Sequence, residues 1–210
     1  MRRCPFNERY FRQITTESQA YWLGFIAADG CVTGGSLQIN LAGKDAAHLK
    51  ALSDAIELNR SPRMGTSNFN TSVARFAVTN EALVSDLMSL GIVPRKSACL
   101  KPWSGPPDLM RPYWRGLFDG DGCITSGSNG TGRRYWRVSM NGTEDIVRGL
   151  VAASLLPCPV RPHASIWRSV WMGTAQPRSI LRYLYDNSSV HLPRKFALYE
   201  RVCRELHPVE

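Results

Sequence analysis

The sequence has 210 residues, of which 43% are hydrophobic, and it carries a formal net charge of +9 with an isoelectric point near 9.6. This composition supports a packed core, and the positive charge favours an anionic partner, with nucleic acid as the first candidate. No stretch approaches the roughly 20 apolar residues that a membrane span requires, and no apolar run follows the N-terminus as in a secretory signal peptide. We therefore expect a cytoplasmic protein that has no membrane partner.

The first half of the chain alternates helical and strand patterns. A capping box at residues 16–19 precedes an apolar helix, and the segments after it alternate between strand and helix periodicity. The predicted elements after the first helix are a strand at residues 37–41, a helix at 45–57, a hairpin of strands 63–67 and 73–79 around 68–70, and a helix at 81–90 closed by Gly91.

The second half repeats this order after a Pro/Gly-rich linker. After a helix equivalent to the first, the predicted elements are a strand at residues 133–140, a helix at 144–156, a hairpin of strands 160–165 and 166–172, a helix at 178–185 and a final helix at 193–206. We divide the chain into a first repeat at residues 1–100 with an N-terminal extension at 1–15, a linker at 101–110 and a second repeat at 111–210.

A twelve-residue segment occurs twice and is the most informative feature of the chain. It reads YWLGFIAADGCV at residues 21–32 and YWRGLFDGDGCI at residues 113–124. Each copy carries two small residues four positions apart, which lie on one helix face and allow two helix backbones to touch. These interface residues are Gly24, Ala28, Gly116 and Gly120. We expect the two helices to pack together, with Gly30 and Gly122 ending them in the left-handed conformation.

In each copy the predicted helix ends at an Asp-Gly pair, residues 29–30 and 121–122, so this packing brings Asp29 and Asp121 together at two helix C-termini. The helix dipole is already negative there, and a second carboxylate adds repulsion unless a cation is shared. Carboxylate oxygens are hard ligands that favour Mg²⁺ or a similar ion, with phosphate supplying further oxygens. A single Asp-Gly pair is an ordinary turn signal, but two copies in register favour a metal site.

Residues 23–30 and 115–122 resemble the motif of the LAGLIDADG homing endonucleases, of the type in which one chain carries two motifs. The resemblance implies an α+β fold in which two pseudo-symmetric αββαββα repeats form a saddle of antiparallel sheets around a central two-helix interface. It implies a monomeric, site-specific double-strand DNA endonuclease, encoded by a bacterium or phage, that spreads its own intron or gene. Asp29 and Asp121 would then be the catalytic metal ligands, with Mg²⁺ or Mn²⁺ as cofactor.

Two positions depart from the family motif. Ala27 stands where the second copy has Asp119, and Arg115 replaces an apolar residue, so we expect Arg115 on an exposed edge of its helix. A repeated Pro-Arg-Lys places Lys96 and Lys195 where many family members hold a basic residue near the attacking water. We therefore assign both lysines a catalytic role, because a lysine there can stabilise negative charge that develops on phosphorus.

Strand alternation predicts a basic face on each sheet. In residues 73–79 and 133–140, alternate apolar residues point to the core and the others, Ser139 among them, point outward. A sheet with a basic face can lie in the major groove of DNA. The candidate DNA-binding residues are Arg63, Arg75, Arg133, Tyr135, Arg137, Arg161 and Arg168. Asn40 and Asn141 are the nearest candidates for the polar residue that the family often holds at the end of the second strand.

Two other functions of the same fold remain open. The basic surfaces could bind RNA of a host intron, as in an RNA maturase, and a regulator could bind DNA without cleaving it. Such regulators typically lose the acids and gain a further domain, whereas both acids are present here.

The six cysteines show neither metal-ligand spacing nor a dense disulfide framework, which indicates a reducing compartment. Cys31 and Cys123 are equivalent in the two repeats, and we expect them to be small buried side chains.

Overall fold

The structure is a computed structural model that describes residues 5–128, 130, 132 and 134–206. Over these residues there are seven helices and eight strands, in the order of the predicted αββαββα repeats followed by the predicted final helix, and the strands at 30–33 and 122–128 are the two that the sequence patterns did not locate. In the first half they are α1 (Glu17–Asp29), β1 (Gly30–Thr33), β2 (Ser36–Ala42), α2 (Ala46–Ala55), β3 (Arg63–Thr66), β4 (Ser72–Thr79) and α3 (Glu81–Ser89). In the second half they are α4 (Pro107–Asp121), β5 (Gly122–Ser128), β6 (Arg134–Gly142), α5 (Glu144–Ser154), β7 (Arg161–His163), β8 (Ile166–Gly173), α6 (Ala175–Tyr185) and α7 (Pro193–Glu205).

Each half forms one four-stranded antiparallel sheet with the same strand order. The orders are β1-β2-β4-β3 in the first sheet and β5-β6-β8-β7 in the second. Helices α2 and α3 pack against the first sheet, and α5 and α6 pack against the second, so that helices cover one face of each sheet. The predicted α+β fold of two αββαββα repeats is confirmed. The second half continues into α7, where the first half has a short 3-10 turn at Lys96–Ala98.

The junction between the halves is shorter than the predicted linker. Helix α4 begins at Pro107, within the range 101–110, and residues 100–106 have no regular secondary structure. Proline suits the first turn of a helix, where its missing N–H would have no partner in any case. The repeat boundaries themselves stay predictions.

Strand alternation places the core-facing side chains as predicted. The buried alternate residues are Ala74, Phe76 and Val78 on β4 and Trp136, Val138 and Met140 on β6. Ser139 lies on the opposite face, level with Cys123 and Val170 on the adjacent strands, yet it is only 7% exposed. Ser139 therefore points away from the core as predicted, and its short side chain is covered by neighbours on both sides.

Helices α1 and α4 form the centre of the molecule, and their mutual contact is the most extensive between helices in the described part of the chain. Residues 20–27 of α1 are all buried, as expected for a helix that is apolar on every side. The predicted capping box fixes the start of α1. The Thr16 hydroxyl accepts the N–H of Gln19 at 3.2 Å, and Oε1 of Gln19 accepts the N–H of Thr16 at 3.1 Å.

Glycine is required where α1 and α4 cross, because the two backbones touch there. A Cβ atom on Gly24 would lie 2.0 Å from the carbonyl oxygen of Tyr113, and one on Gly116 would lie 2.0 Å from that of Tyr21. Both distances are far below van der Waals contact, so any larger residue would force the helices apart. This contact fixes how the C-terminal ends of α1 and α4 sit relative to each other.

Arg115 is buried inside the molecule, so its predicted place on an exposed helix edge is wrong. The side chain is 2% exposed and forms an ion pair of 2.5 Å with Glu17. Its guanidinium also donates to the carbonyl oxygens of Val190 at 2.8 Å and Leu184 at 3.1 Å. A buried guanidinium is tolerated because these acceptors replace its water, and the ion pair ties α4 to the start of α1.

Cys31 and Cys123 are exposed, so the expectation that they are buried is also wrong. Each is the second residue of a strand, opposite Gln38 or Ser139, on the sheet face that no helix covers. No helix within the described ranges is both long and apolar enough to cross a bilayer.

Candidate functional site

The two acids of the repeated segment are the last residues of α1 and α4. Asp29 and Asp121 are each followed at once by the first residue of a strand, Gly30 or Gly122. The φ angles of these glycines are −76° and −79°, so the predicted left-handed ending is wrong. Glycine is needed for space instead, since a Cβ on Gly30 would lie 2.6 Å from the carbonyl oxygen of Ile26.

The Asp29 carboxylate lies directly against the partner helix. A Cβ on Gly120 would lie 2.3 Å from the Cβ of Ala28 and 3.1 Å from Oδ2 of Asp29, so only glycine leaves room for the acid. Burial first, and then the negative charge of Asp121, raise the pKa of Asp29 from 3.8 to about 6, although two nearby lysines oppose this shift. Burial also raises the pKa of Asp121. The two acids thus repel each other across the helix interface.

Lys195 holds the C-terminal end of α4. The side chain is 3% exposed, and its Nζ donates to the carbonyl oxygens of Phe118 at 2.6 Å, Asp119 at 2.8 Å and Gly122 at 2.5 Å. A cation at a helix C-terminus interacts favourably with the dipole and with carbonyls that lack a helical partner. Burial lowers the pKa of Lys195 from 10.5 to about 8.

Lys96 holds the end of α1 in the same way. It is 6% exposed, and its Nζ donates to the carbonyl oxygens of Ala28, at 3.3 Å, and Gly30. Burial lowers the pKa of Lys96, while the two acids act in the opposite direction. The structure thus places each predicted catalytic lysine on main-chain carbonyls beside an acid.

The two acids at these helix ends offer hard oxygen ligands of the kind that divalent cations prefer. A cavity of about 160 Å³ lies beside Asp121 and is also lined by Asn141 and Ser97. Among the residues that the structure describes, no three Asp, Glu, His or Cys side chains form a cluster that could hold a metal ion. The donor set is therefore two carboxylates, whose hard oxygens suit Mg²⁺ or Mn²⁺, and the other ligands would be oxygens of water or of a bound anion.

Asp119 is the centre of a buried hydrogen-bond network that sequence reasoning missed. It is 1% exposed and accepts hydrogen bonds from the Tyr21 hydroxyl at 2.7 Å, the Tyr185 hydroxyl at 2.5 Å and the N–H of Leu192 at 2.7 Å. Tyr21 also lies 2.9 Å from Nε2 of His48. Because Tyr21 gives its proton to Asp119, Nε2 of His48 carries the proton of this second bond. Burial lowers the pKa of His48 to about 4, which keeps its ring neutral.

No protein-family model matches this sequence, and no curated protein sequence matches it significantly. Solved structures match over nearly the whole chain. The LAGLIDADG meganuclease I-AabMI bound to uncleaved DNA superimposes with a TM-score of 0.63 at 16% identity, covering 91% of this chain and 90% of that one. The LAGLIDADG homing endonuclease I-LtrWI bound to target DNA gives 0.61 at 11% identity, covering 95% and 90%. The LAGLIDADG meganuclease I-CpaMI bound to uncleaved DNA gives 0.61 at 11% identity, covering 90% and 91%.

This chain has the LAGLIDADG fold. Helices α1 and α4 are the two motif helices of that fold, and the fold predicted from the repeated segment is confirmed. The sequence identities of 11–16% to these structures are low, in keeping with the absence of a matching family model or curated sequence, although both motif segments are present in the chain.

The predicted DNA-binding residues of this LAGLIDADG fold lie on the sheet faces that no helix covers, except Arg133, which falls outside the described residues. They are Arg63 on β3, Arg75 on β4, Tyr135 and Arg137 on β6, Arg161 on β7 and Arg168 on β8. Of these, Tyr135 and Arg168 are partly buried and the others are exposed. Each sheet therefore presents arginine on the face that a long ligand could reach.

Proposed function

We propose that this chain is a site-specific double-strand DNA endonuclease that cleaves a long asymmetric target. The observation that carries the proposal is the pair of acids, Asp29 and Asp121, at touching helix ends between two sheets with arginine on their exposed faces. The similar solved structures support it, since they are homing endonucleases or meganucleases described as bound to DNA. One chain supplies both acids and both sheets, so a monomer suffices.

Asp29 and Asp121 would hold Mg²⁺ or Mn²⁺ together with phosphate oxygens of the target. Such an ion, when bound, supplies the charge that activates a water and stabilises the leaving oxygen. Burial and then the charge of Asp121 raise the pKa of Asp29, and a cation between the acids would offset the second of these causes, which supports this role. The contribution of the protein is to fix both carboxylates in place, and the backbone contact of α1 with α4 does this.

Lys96 and Lys195 are proposed to serve the same site. Each Nζ is bonded to the end of one motif helix, which fixes the acid at that end. Both lysines also act to lower the pKa of Asp29 and of Asp121, against the burial that raises it. Their positive charge would stabilise negative charge that develops on the attacked phosphate.

The two arginine-bearing sheet faces are proposed to bind the two halves of the target. A two-stranded ribbon fits the major groove of B-form DNA, and arginine can contact either phosphates or guanine edges there. The net charge of +9 adds the general attraction for DNA on which such binding depends.

The test is cleavage of a randomised DNA duplex library in the presence of Mg²⁺. We expect cuts at one long sequence that disappear with EDTA and with Asp29→Asn. Asp108→Asn is the matched control, because Asp108 is an exposed acid in the first turn of α4, far from the helix end that carries Asp121. Selective binding of the library without any cutting would contradict the nuclease, and RNA binding would then be measured with the same protein.

A further inference from the structure

The two sheets carry the same three side chains at the same position of their strand registers. In the first sheet Asn40 on β2 is paired with Arg75 on β4, which is paired with Arg63 on β3. In the second sheet Asn141 on β6 is paired with Arg168 on β8, which is paired with Arg161 on β7. We call each set of Asn, Arg and Arg across three strands the arginine rung of its sheet.

Each arginine rung begins one residue beyond the pair that opens the first strand of its sheet, and one of the two acids directly precedes that strand in the chain. β1 begins with Gly30 opposite Ile39; Asp29 is one residue before Gly30, and Asn40 is one residue after Ile39. In the same way β5 begins with Gly122 opposite Met140, and Asp121 and Asn141, one residue beyond this pair on each side, line the same cavity. The two rungs thus hold equivalent places relative to the two proposed cutting positions.

The central arginine of each rung is held in place by its neighbours. Nε of Arg168 donates to Oδ1 of Asn141 at 2.7 Å, which leaves the two amino groups at the end of the guanidinium for another acceptor. Arg75 is held differently, because its guanidinium donates to the carbonyl oxygen of Thr66 at 3.2 Å and lies over Gly65, where a side chain would leave less room. An arginine fixed in advance loses less side-chain entropy on binding.

Beyond the arginine rungs the two faces differ. Two residues farther along the strands, the cross-strand pair on the same face is Gln38 with Ala77 in the first sheet but Ser139 with Val170 in the second. After two more residues, the pair on this face is Ser36 with Thr79 in the first sheet but Arg137 with Met172 in the second. The two sheets therefore share the arginine rung but differ in the other pairs on this face. They cannot present the same pattern of side chains to a ligand over their whole length.

We propose that the DNA target carries guanine at two mirror-related positions, one in each half, and that the two arginine rungs read these guanines. The proposal rests on the proposed function and names the substrate pattern of that surface. A guanidinium matches the O6 and N7 acceptors of guanine in the major groove with two parallel hydrogen bonds. Because the two rungs have the same residues at the same strand register while the pairs farther along the strands differ, the target is symmetric at these guanines and asymmetric farther out.

The same arginines could instead contact phosphates, and base preference separates the two cases. A base contact is lost at one position when its arginine is removed, whereas a phosphate contact weakens binding to all sequences alike. Arg75→Ala should therefore abolish the guanine preference in one half of the target, and Arg168→Ala should abolish it in the other. The preference lost should be roughly tenfold to a hundredfold at that base pair.

The experiment is selection of bound duplexes from a randomised library in EDTA, followed by sequencing, with the full-length chain. We expect guanine at two positions equally far from the centre of the selected sequence. Arg148→Ala is the control, since this exposed arginine lies on α5, away from both open sheet faces, and should leave the selected sequence unchanged. Arg168→Lys keeps the charge but lacks the two-pronged donor, so it should lose the guanine preference with a smaller loss of affinity.

Two results would overturn the inference while leaving the proposed function intact. One is a selected sequence without mirror-related guanines, and the other is uniform weakening in both alanine variants with the base preference retained. Selection of no duplex at all would overturn the proposed function together with the inference. Melting curves of each variant show whether it is folded, and Arg168→Lys serves as the test if an alanine variant is not.

Discussion

Replacing Asp29 with asparagine should stabilise the metal-free protein near neutral pH, although it removes a proposed metal ligand. The folded carboxyl group keeps its proton up to about pH 6, whereas the unfolded one loses it near pH 3.8. The folded state therefore binds more protons than the unfolded state between these values, and its stability falls as the pH rises through this window. The amide that replaces the carboxyl group carries no charge, so the variant should escape this loss.

The size of the effect follows from the pKa shift of Asp29. A shift from 3.8 to about 6 corresponds to roughly 3 kcal/mol, at about 1.4 kcal/mol per pKa unit. Solvent reduces part of the cost of this buried charge, and an amide is still a polar group against a helix, so we expect a gain of about 1–2 kcal/mol. For a protein of this size that is roughly 2–8 °C in Tm.

The assay is thermal unfolding of wild type and Asp29→Asn in EDTA at a series of pH values. The Tm difference should be small near pH 4, grow between pH 4 and 6, and stay constant above about pH 6. Asp108→Asn is the control, because Asp108 is exposed in the first turn of α4, at the opposite end of that helix from Asp121. Added Mg²⁺ should raise the Tm of wild type more than that of the variant. A variant that is less stable than wild type at pH 7 in EDTA would refute the reasoning.

Three further predictions concern the helix interface and the groups around it. Gly116→Ala should destabilise the fold by about 3 kcal/mol or more in denaturant unfolding. Gly130→Ala is the control and should be nearly neutral, because its Cβ would meet nothing within 4 Å. Equal effects of the two substitutions would contradict the close approach of α1 and α4. Asp119→Ala leaves three buried donors without an acceptor and should cost about 3–5 kcal/mol by the same measurement, so a loss below about 1 kcal/mol would count against the network. The cleavage rate should fall as the pH rises through about 8, where Lys195 loses its proton, and a rate profile that stays flat well above pH 8 would argue against a role for its charge.

The fold was predictable because its signals are local and occur twice. The capping box at Thr16 and the small residues that include Gly24 and Gly116 each describe contacts within one helix turn or at one helix crossing. Period-two alternation located the core face of β4 and β6 for the same reason. Gly30 was identified correctly as the residue that ends its helix. Glycine is required at this position because there is no space for a side chain beside Ile26, and not because of the backbone conformation.

The surroundings of the site were not predictable, because they depend on residues far apart in the sequence. Asp119 is visible in the motif, yet its partners Tyr21 and Tyr185 are 98 and 66 residues away. Arg115 was expected at the surface because a charged residue usually is, and its buried acceptors are main-chain carbonyls that no sequence pattern reveals. The position of the Lys195 amino group on carbonyls of α4 is hidden from sequence for the same reason.

The most direct test of the account is the fate of a supercoiled plasmid that carries the selected target, incubated with Mg²⁺ and each acid variant. If Asp29 and Asp121 act on opposite DNA strands, the wild-type protein should give linear DNA. Asp29→Asn and Asp121→Asn should each give no linear DNA and at most a nicked circle. The double variant should leave the plasmid intact. All three variants should still bind the target, since the proposed binding surface is on the sheets. Linear product at the wild-type rate from either single variant would contradict the central claim.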